Sequence, residues 1–211
     1  MPSGILLTTA YFPPLEYFAF ALAAENVLIE RHENYMKQTF RNRCIIMAAN
    51  GILPLVIPVK KFRGRKTPIR DVKPDYSYHW QRLHLISLES AYRSAPFYEY
   101  YIDEIMPFFN NRYRYLLDLN SAIFDKMPEL MDISLSWRYT VEFMKDPPSG
   151  YADLRESFHP KKDNPELTVI RENIKYKQVF QDRWGFNPGL SILDLLFNAG
   201  PDAGGLLTKV F

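Results

Sequence analysis

An α/β fold with a mixed β-sheet is predicted for this 211-residue chain, on three observations. A compact strand–helix–strand pattern fills the first thirty residues, and two apolar segments flank Asn50-Gly51. From Tyr78 onward the hydrophobic period becomes helical. Together these predict a βαβ unit plus a β-hairpin, packed helices and a helical C-terminal end, within one domain spanning 1–211.

Ile5 to Tyr11 is apolar enough for a buried strand, and Phe12-Pro13-Pro14 breaks it. Proline suits a first helical turn, where its missing N–H costs nothing. Leu15, Phe18, Ala19, Leu22 and Ala23 then share one helical face, and Asn26 to Glu30 is the next strand. Two strands joined by a helix predict a parallel pair with a right-handed crossover. Cys44 to Met47 and Leu53 to Val59 flank Asn50-Gly51, the dipeptide of type I′ hairpin turns. Pro54 and Pro58 cannot donate to a ladder, so the second strand is expected at an edge. Residues 60–73 carry seven basic side chains against one acid, Asp71, without hydrophobic period, and are expected to form a loop.

Trp80, Leu83, His84, Leu88, Ala91, Tyr92 and Ala95 define one helix face, and a second helix is expected from Pro96 with Phe97, Tyr101, Ile102, Ile105, Phe108 and Phe109 inward. Leu116 to Met131 reads as a third helical region interrupted near Pro128, and Asp132 to Trp137 alternates like a strand. Residues 145–169 are rich in proline and charge, an irregular connection long enough to suggest function. Tyr176 to Trp184 is a predicted helix closed by Gly185. Ser191 opens a nearly all-apolar helix that Gly200-Pro201 stops, with Ser191 and Asp194 expected to cap and orient it.

Composition narrows the function classes. Lys plus Arg number 26 against 24 for Asp plus Glu, and 47% of residues are hydrophobic, which excludes wholesale disorder. One cysteine excludes a disulfide framework and paired-thiolate zinc sites. Cys44, inside an apolar strand, is expected to pack rather than react. No HExxH, GxGxxG or GxxxxGK[ST] occurs, so no metal is expected and no cofactor is indicated. The absence of a basic leader or long apolar run makes the cytoplasm the expected location. The basic 60–73 stretch invites a nucleic-acid reading, but a net charge of +2 and no known motif stand against it, so nucleic acid is not an expected partner.

Several segments also carry a family resemblance. Tyr11-Phe12-Pro13-Pro14 with Tyr17-Phe18, then Asn34-Tyr35-x-Lys37 and Arg41-Asn42-Arg43, are three of them. Pro58-Val59 and the helix with Trp80 and His84 follow, and the closing piece runs from Asn187-Pro188 through Ser191, Asp194 and Asn198 to Pro201. In these the chain resembles the WbqC-like protein family over essentially its whole length. Thr8-Thr9-Ala10 stands where members commonly carry Gln-Pro, and Arg31-His32-Glu33 where many carry an acidic pair. The resemblance implies surface-polysaccharide (O-antigen) assembly and transfer of a small acyl or aminoacyl group, glycyl included, onto a nucleotide-linked sugar. The alternative is a non-catalytic binding or scaffold protein of that pathway. The expected partner is a small molecule such as a nucleotide sugar, with peripheral contact to inner-membrane glycan machinery. The oligomeric state is open.

The densest chemistry lies in Glu30 to Arg43, just past the second strand and near Tyr11. In open α/β sheets ligands bind outside the carboxyl ends of strands. Lys37, Arg41 and Arg43 are expected to neutralise phosphate or carboxylate, Asn34 and Asn42 to orient a sugar, and Tyr11 and Tyr35 to contact it. His84 or Glu33 is the candidate proton acceptor. The plainer readings are a solvated charge-rich loop and a core histidine. The lysines of His159-Pro160-Lys161-Lys162 could close over an anion, or simply form an exposed basic loop.

Overall fold

A computed structural model describes residues 2–61, 66–162 and 164–210. Its centre is β1 (Gly4–Thr8), which pairs in parallel with β2 (Val27–Glu30) on one side and β6 (Tyr151–Asp153) on the other; β2 pairs in parallel with β5 (Trp137–Tyr139). The spatial order is therefore β5-β2-β1-β6. Every residue of β1 and β2 is buried, and a continuous apolar run is what a parallel strand covered on both faces requires. β1 stops at Thr8, earlier than expected, because the chain then turns toward Phe40, whose carbonyl accepts the Tyr11 N–H at 2.8 Å. The crossover from β1 to β2 is α1 (Leu15–Ala23), entered through extended Pro14.

Arg43–Ala48 (β3) and Gly51–Val56 (β4) form the expected hairpin with Ala48 opposite Gly51. The α/β class stands as expected, while parallel and antiparallel strands divide between a four-stranded and a two-stranded sheet. The turn differs from the expectation: its two loop residues are Ala49 and Asn50, and the positive φ falls on Gly51 (108°), the first residue of β4. Asn50 is not left-handed, so this is not a type I′ turn; glycine takes the left-handed position where a side chain would be strained. β4 has no second partner strand among the described residues, as Pro54 within it requires.

Of the basic stretch, residues 62–65 lie outside the described residues. The part from Thr67 to Val72 is not a detached loop. Thr67 accepts the Tyr35 N–H at 2.8 Å, the Ile69 N–H donates to Glu33 at 2.9 Å, and Ile69 and Val72 are fully buried. Two apolar side chains thus anchor it, each worth roughly 1.5–3 kcal/mol of burial.

The helices follow the sequence periods with local exceptions. In α2 (Trp80–Tyr92) the expected face is buried except for Leu83, which points to solvent. Leu83 lies at the margin of the stripe, where the neighbouring His84 takes the inward place. The second helix begins at Tyr98 rather than Pro96, as α3 (Tyr98–Ile105) and α4 (Pro107–Asn110). Leu116–Leu130 is α5, and Pro128 sits in its last turn. There the Pro128 carbonyl accepts the Ile133 N–H at 2.9 Å, and Asp132 adopts φ 53°. That terminating turn consumes the start of the expected 132–137 strand, so pairing begins only at Trp137.

The 145–169 connection contains β6, too short to show a period, and the start of α6 (Pro165–Asn173). The expected helix over 176–184 shrinks to α7 (Gln181–Trp184), because Tyr176 and Gln178 instead turn inward to Asp194. Helices α8 (Ile192–Ala199) and α9 (Ala203–Thr208) close the chain, and both pack on α1. Ser191 caps α8, its hydroxyl accepting the Leu193 N–H at 3.3 Å. Asp194 does not cap. Its carboxylate is buried and accepts from the Tyr176 hydroxyl at 2.6 Å and the Gln178 amide at 2.8 Å.

Burial pushes the Asp194 carboxyl up to about 6, against the lowering effect of its hydrogen bonds from Tyr176 and Gln178. A raised folded pKa means that the native state holds the proton longer than the unfolded chain. This group therefore penalises the fold fully above about pH 6, and the penalty fades as pH falls toward the unfolded value near 4. The contribution over that window is on the order of 3 kcal/mol. Urea unfolding of wild type and Asp194→Asn at pH 4.5 and 7.5 should differ in pH slope: wild type loses more stability than the variant on going to pH 7.5. Equal slopes would show that the carboxyl is not perturbed.

Candidate active site at the carboxyl edge of the parallel sheet

The strand order reverses between β1 and β6: the chain proceeds from β1 to β2 and β5 on one side, then returns to β6 on the other. At such a reversal the connections leave in opposite directions and open a crevice beyond the strand ends. A cleft of ≈ 540 Å³ lies at this edge, lined by Glu33, Asn34, Met36, Phe143, Asp153, Arg155 and Glu156.

Its floor is ionic. Arg41 is 1% exposed and grips Glu33 with both arms of its guanidinium, Nε to Oε1 at 2.8 Å and Nη2 to Oε2 at 2.6 Å. The Thr8 hydroxyl, at the end of β1, also donates to Glu33 Oε1. Glu156 stands 3.6 Å from Arg41 with its side chain 58% exposed, so it presents oxygens to the cleft. Behind them Glu30, wholly buried, ties the segments after β2 and β5 together. Its Oε1 accepts the His32 N–H at 2.7 Å and the Thr140 hydroxyl at 2.8 Å, and its Oε2 accepts the Met144 N–H at 2.8 Å. Arg155 donates to Asp153 (Nε to Oδ1 2.9 Å) and to the Met144 and Lys145 carbonyls (2.6 and 3.0 Å), and lies over the Phe143 ring. These hydrogen bonds hold the Asp153 carboxyl below its ordinary value and raise Arg155. Phe143, 55% exposed, offers an open ring face.

The sequence-expected residues distribute unevenly. Glu33 and Asn34 line the cleft and Arg41 underlies it. Tyr35 and Arg43 are half-buried beside one another, and burial pushes the Tyr35 hydroxyl up to about 12 against the nearby Arg43 and Arg41 charges. Lys37 is exposed on the loop. Asn42 is buried and donates to the Ile57 carbonyl at 2.8 Å, which fastens the hairpin. Tyr11 meets the Phe40–Asn42 turn through its backbone, but its side chain points into the core, where its hydroxyl reaches His84 Nδ1 at 3.0 Å. His84 is 4% exposed, between Trp80 and Phe109, and burial pushes it down to about 4, partly offset by a bond to the Val56 carbonyl. Tyr11 and His84 thus form a core pair and do not line the cleft. Cys44 is buried, and its thiol is pushed well up by that burial.

Sequence reasoning missed Thr8, Phe143, Asp153, Arg155 and Glu156. The available signal was the unusual length of the 145–169 connection; what was lacking was the three-residue strand that brings Asp153 to β1. The cleft is also richer in carboxylates than the cationic site expected, because Arg41 and Arg155 are both engaged by acids. Among the described residues no group of three or more His, Cys, Asp or Glu is placed to hold a metal ion, and no helix is long and apolar enough to cross a membrane.

Comparison with known proteins gives a consistent picture. The model of the WbqC-like protein family matches residues 9–154 and 147–205. The uncharacterized protein Rv1507c of Mycobacterium tuberculosis (strain ATCC 25618 / H37Rv) is 25% identical over 229 residues, covering 96% of each chain. No solved structure matches the chain significantly.

Proposed function

Since the chain belongs to the WbqC-like protein family, we propose that its sheet-edge cleft binds an amino sugar, or a nucleotide-linked form of one, and passes a small acyl or aminoacyl group to it in surface-polysaccharide assembly. The observation that carries this reading is the acceptor-rich lining at the strand-order reversal. Glu33, Asp153 and Glu156 supply carboxylate oxygens and Asn34 an amide, all suited to hydroxyl and ammonium donors. Phe143 and Met36 offer exposed apolar surface for a pyranose face. Glu156 is the carboxylate with open oxygens, next to Glu33. In this scheme it removes the proton from the sugar amine as nitrogen attacks an activated acyl carbonyl. The new C–N bond forms as the bond to the leaving group breaks, and the proton passes to that group. Arg41 keeps Glu33 in place and stands 3.6 Å from Glu156. The protein would serve membrane-bound glycan machinery from the side.

A second reading is a non-catalytic carbohydrate-binding protein of the same pathway. It is favoured by the enclosure of His84 and by the engagement of both Glu33 oxygens.

Both readings predict that glucosamine binds in a calorimetric titration, and that Glu156→Gln and Phe143→Ala each weaken binding about ten-fold while leaving the fold intact. No saturable binding, or variants equal to wild type, would remove the cleft from consideration. Mass spectrometry after incubation with an activated glycyl or acetyl donor separates the readings: an acylated sugar supports transfer, and unchanged sugar supports the binding protein.

A further inference from the structure

The described part of the basic 60–73 stretch leads to a second cleft that the carbohydrate reading does not use. Backbone pairing fixes its edge: the Lys60 N–H donates to Lys73 at 3.0 Å, the Asp75 N–H donates to Pro58 at 2.8 Å, and Val59 bridges Pro74. Lys60 and Lys73 therefore lie side by side, an arrangement that repels unless an anion shares it. Arg112 and Arg114 come from the segment after α4 and line the same ≈ 480 Å³ cleft, with Tyr76, Tyr113 and Asp75. Among the described residues no Asp or Glu forms an ion pair with any of these four cations. Asp75 is turned to Ser77, whose N–H and hydroxyl donate to it at 3.1 and 2.7 Å, and it feels the Lys60 charge from beyond ion-pair distance.

The walls are preorganised. The Tyr76 hydroxyl donates to the Tyr113 carbonyl at 3.2 Å and accepts the Tyr113 N–H at 2.8 Å, while its ring packs on buried Trp80. The Arg112 guanidinium lies 5.4 Å from the Tyr76 ring centre; Arg114 and Lys73 lie 5.2 and 5.6 Å from that of Tyr115. Aromatic faces thus hold the cations apart and orient them, leaving their remaining N–H donors for a ligand.

We infer that the cleft formed by Lys60, Lys73, Arg112 and Arg114 is a binding site for a phosphate-bearing ligand, a diphosphate matching its four cations. The ligand's negative oxygens take donors from both chain segments, and a nucleotide would add a flat base for Tyr76 or Tyr113. This site goes beyond the carbohydrate reading and stands or falls independently of it. The same chemistry could come from a soluble nucleotide or from an anionic headgroup at a membrane surface.

The test uses the full chain at low salt, with pyrophosphate and uridine diphosphate titrated calorimetrically against wild type and the double variant Lys73→Glu/Arg112→Glu. Both residues are exposed, and circular dichroism checks that the variant folds. Saturable binding is expected in wild type, weakened at least about ten-fold in the variant and falling with salt. A parallel arm sediments the protein with vesicles of equal parts phosphatidylglycerol and phosphatidylcholine. Capture that pyrophosphate competes away, and that the variant loses, supports the same site with a headgroup as ligand. Absence of both pyrophosphate binding and vesicle capture overturns the proposal, as does binding or capture that the variant retains. Glucosamine binding at the other cleft is untouched by either result.

Discussion

Glu33→Leu, with Arg41 left in place, is expected to lose about 3–5 kcal/mol of stability, because it strands a guanidinium that has almost no access to water. In the native chain that group is compensated by two bonds to Glu33, at 2.8 and 2.6 Å, with the largely exposed Glu156 as the one further carboxylate among the described residues. A domain of this size has a total stability of about 5–15 kcal/mol, so the single variant stands close to unfolding. The double replacement Glu33→Leu/Arg41→Met removes both charges and fills similar volume, and is expected to recover most of the loss. Urea unfolding of the three proteins at pH 7 is the measurement. A single variant with the wild-type midpoint would mean that Arg41 finds water or another carboxylate, and that the ionic floor of the cleft is not rigid. Recovery in the double variant without recovery of glucosamine binding would separate stability from ligand recognition. Glu33 both anchors the floor and lines the cleft, whereas Arg41 only anchors.

The second expectation concerns Glu30→Ala, which leaves the His32 and Met144 N–H groups and the Thr140 hydroxyl without their acceptor, each at about 1–3 kcal/mol if buried and unpaired. A net loss of at least about 3 kcal/mol is expected. Glu30→Gln keeps one oxygen but points an NH2 group at a donor, and should fall between wild type and alanine. The distinguishing readout is amide exchange at Met144 and His32, which should quicken well before global unfolding, because the segments after β2 and β5 are joined through this carboxylate. Unchanged protection at both amides would mean that those segments are held by other contacts. Glucosamine affinity should fall with the same variant, since Phe143 and Arg155 depend on the placement of the Met144 segment.

Some of this was readable in the chain. The strand–helix–strand start, the hairpin and the inward faces of α2 and α3 follow from apolar periods, prolines and an Asn-Gly, all signals carried within a few residues. Segment 30–43 stood out by its charge, and Glu33, Asn34 and Arg41 do meet at the sheet edge. What such signals cannot carry is the partner of a charge. Arg41 reads as a free cation for a substrate, but in the fold Glu33 takes both of its arms. His84 reads as an available base, but Tyr11, Trp80 and Phe109 enclose it. β6 is three residues long with no alternation, so nothing local marks it as a strand.

The sequence alone determined the α/β class, the family, and which stretches bear charge and aromatic surface, because these depend on residue type and on spacings shorter than one helix. Only the tertiary structure decided that Asp153, Arg155 and Glu156 stand beside Glu33, that Lys73 and Arg112 share a cleft, and that His84 lies in the core. Such pairings join residues up to well over a hundred positions apart. They are set by strand order and by which charges must neutralise one another once water is removed, and neither is written in any local stretch of chain.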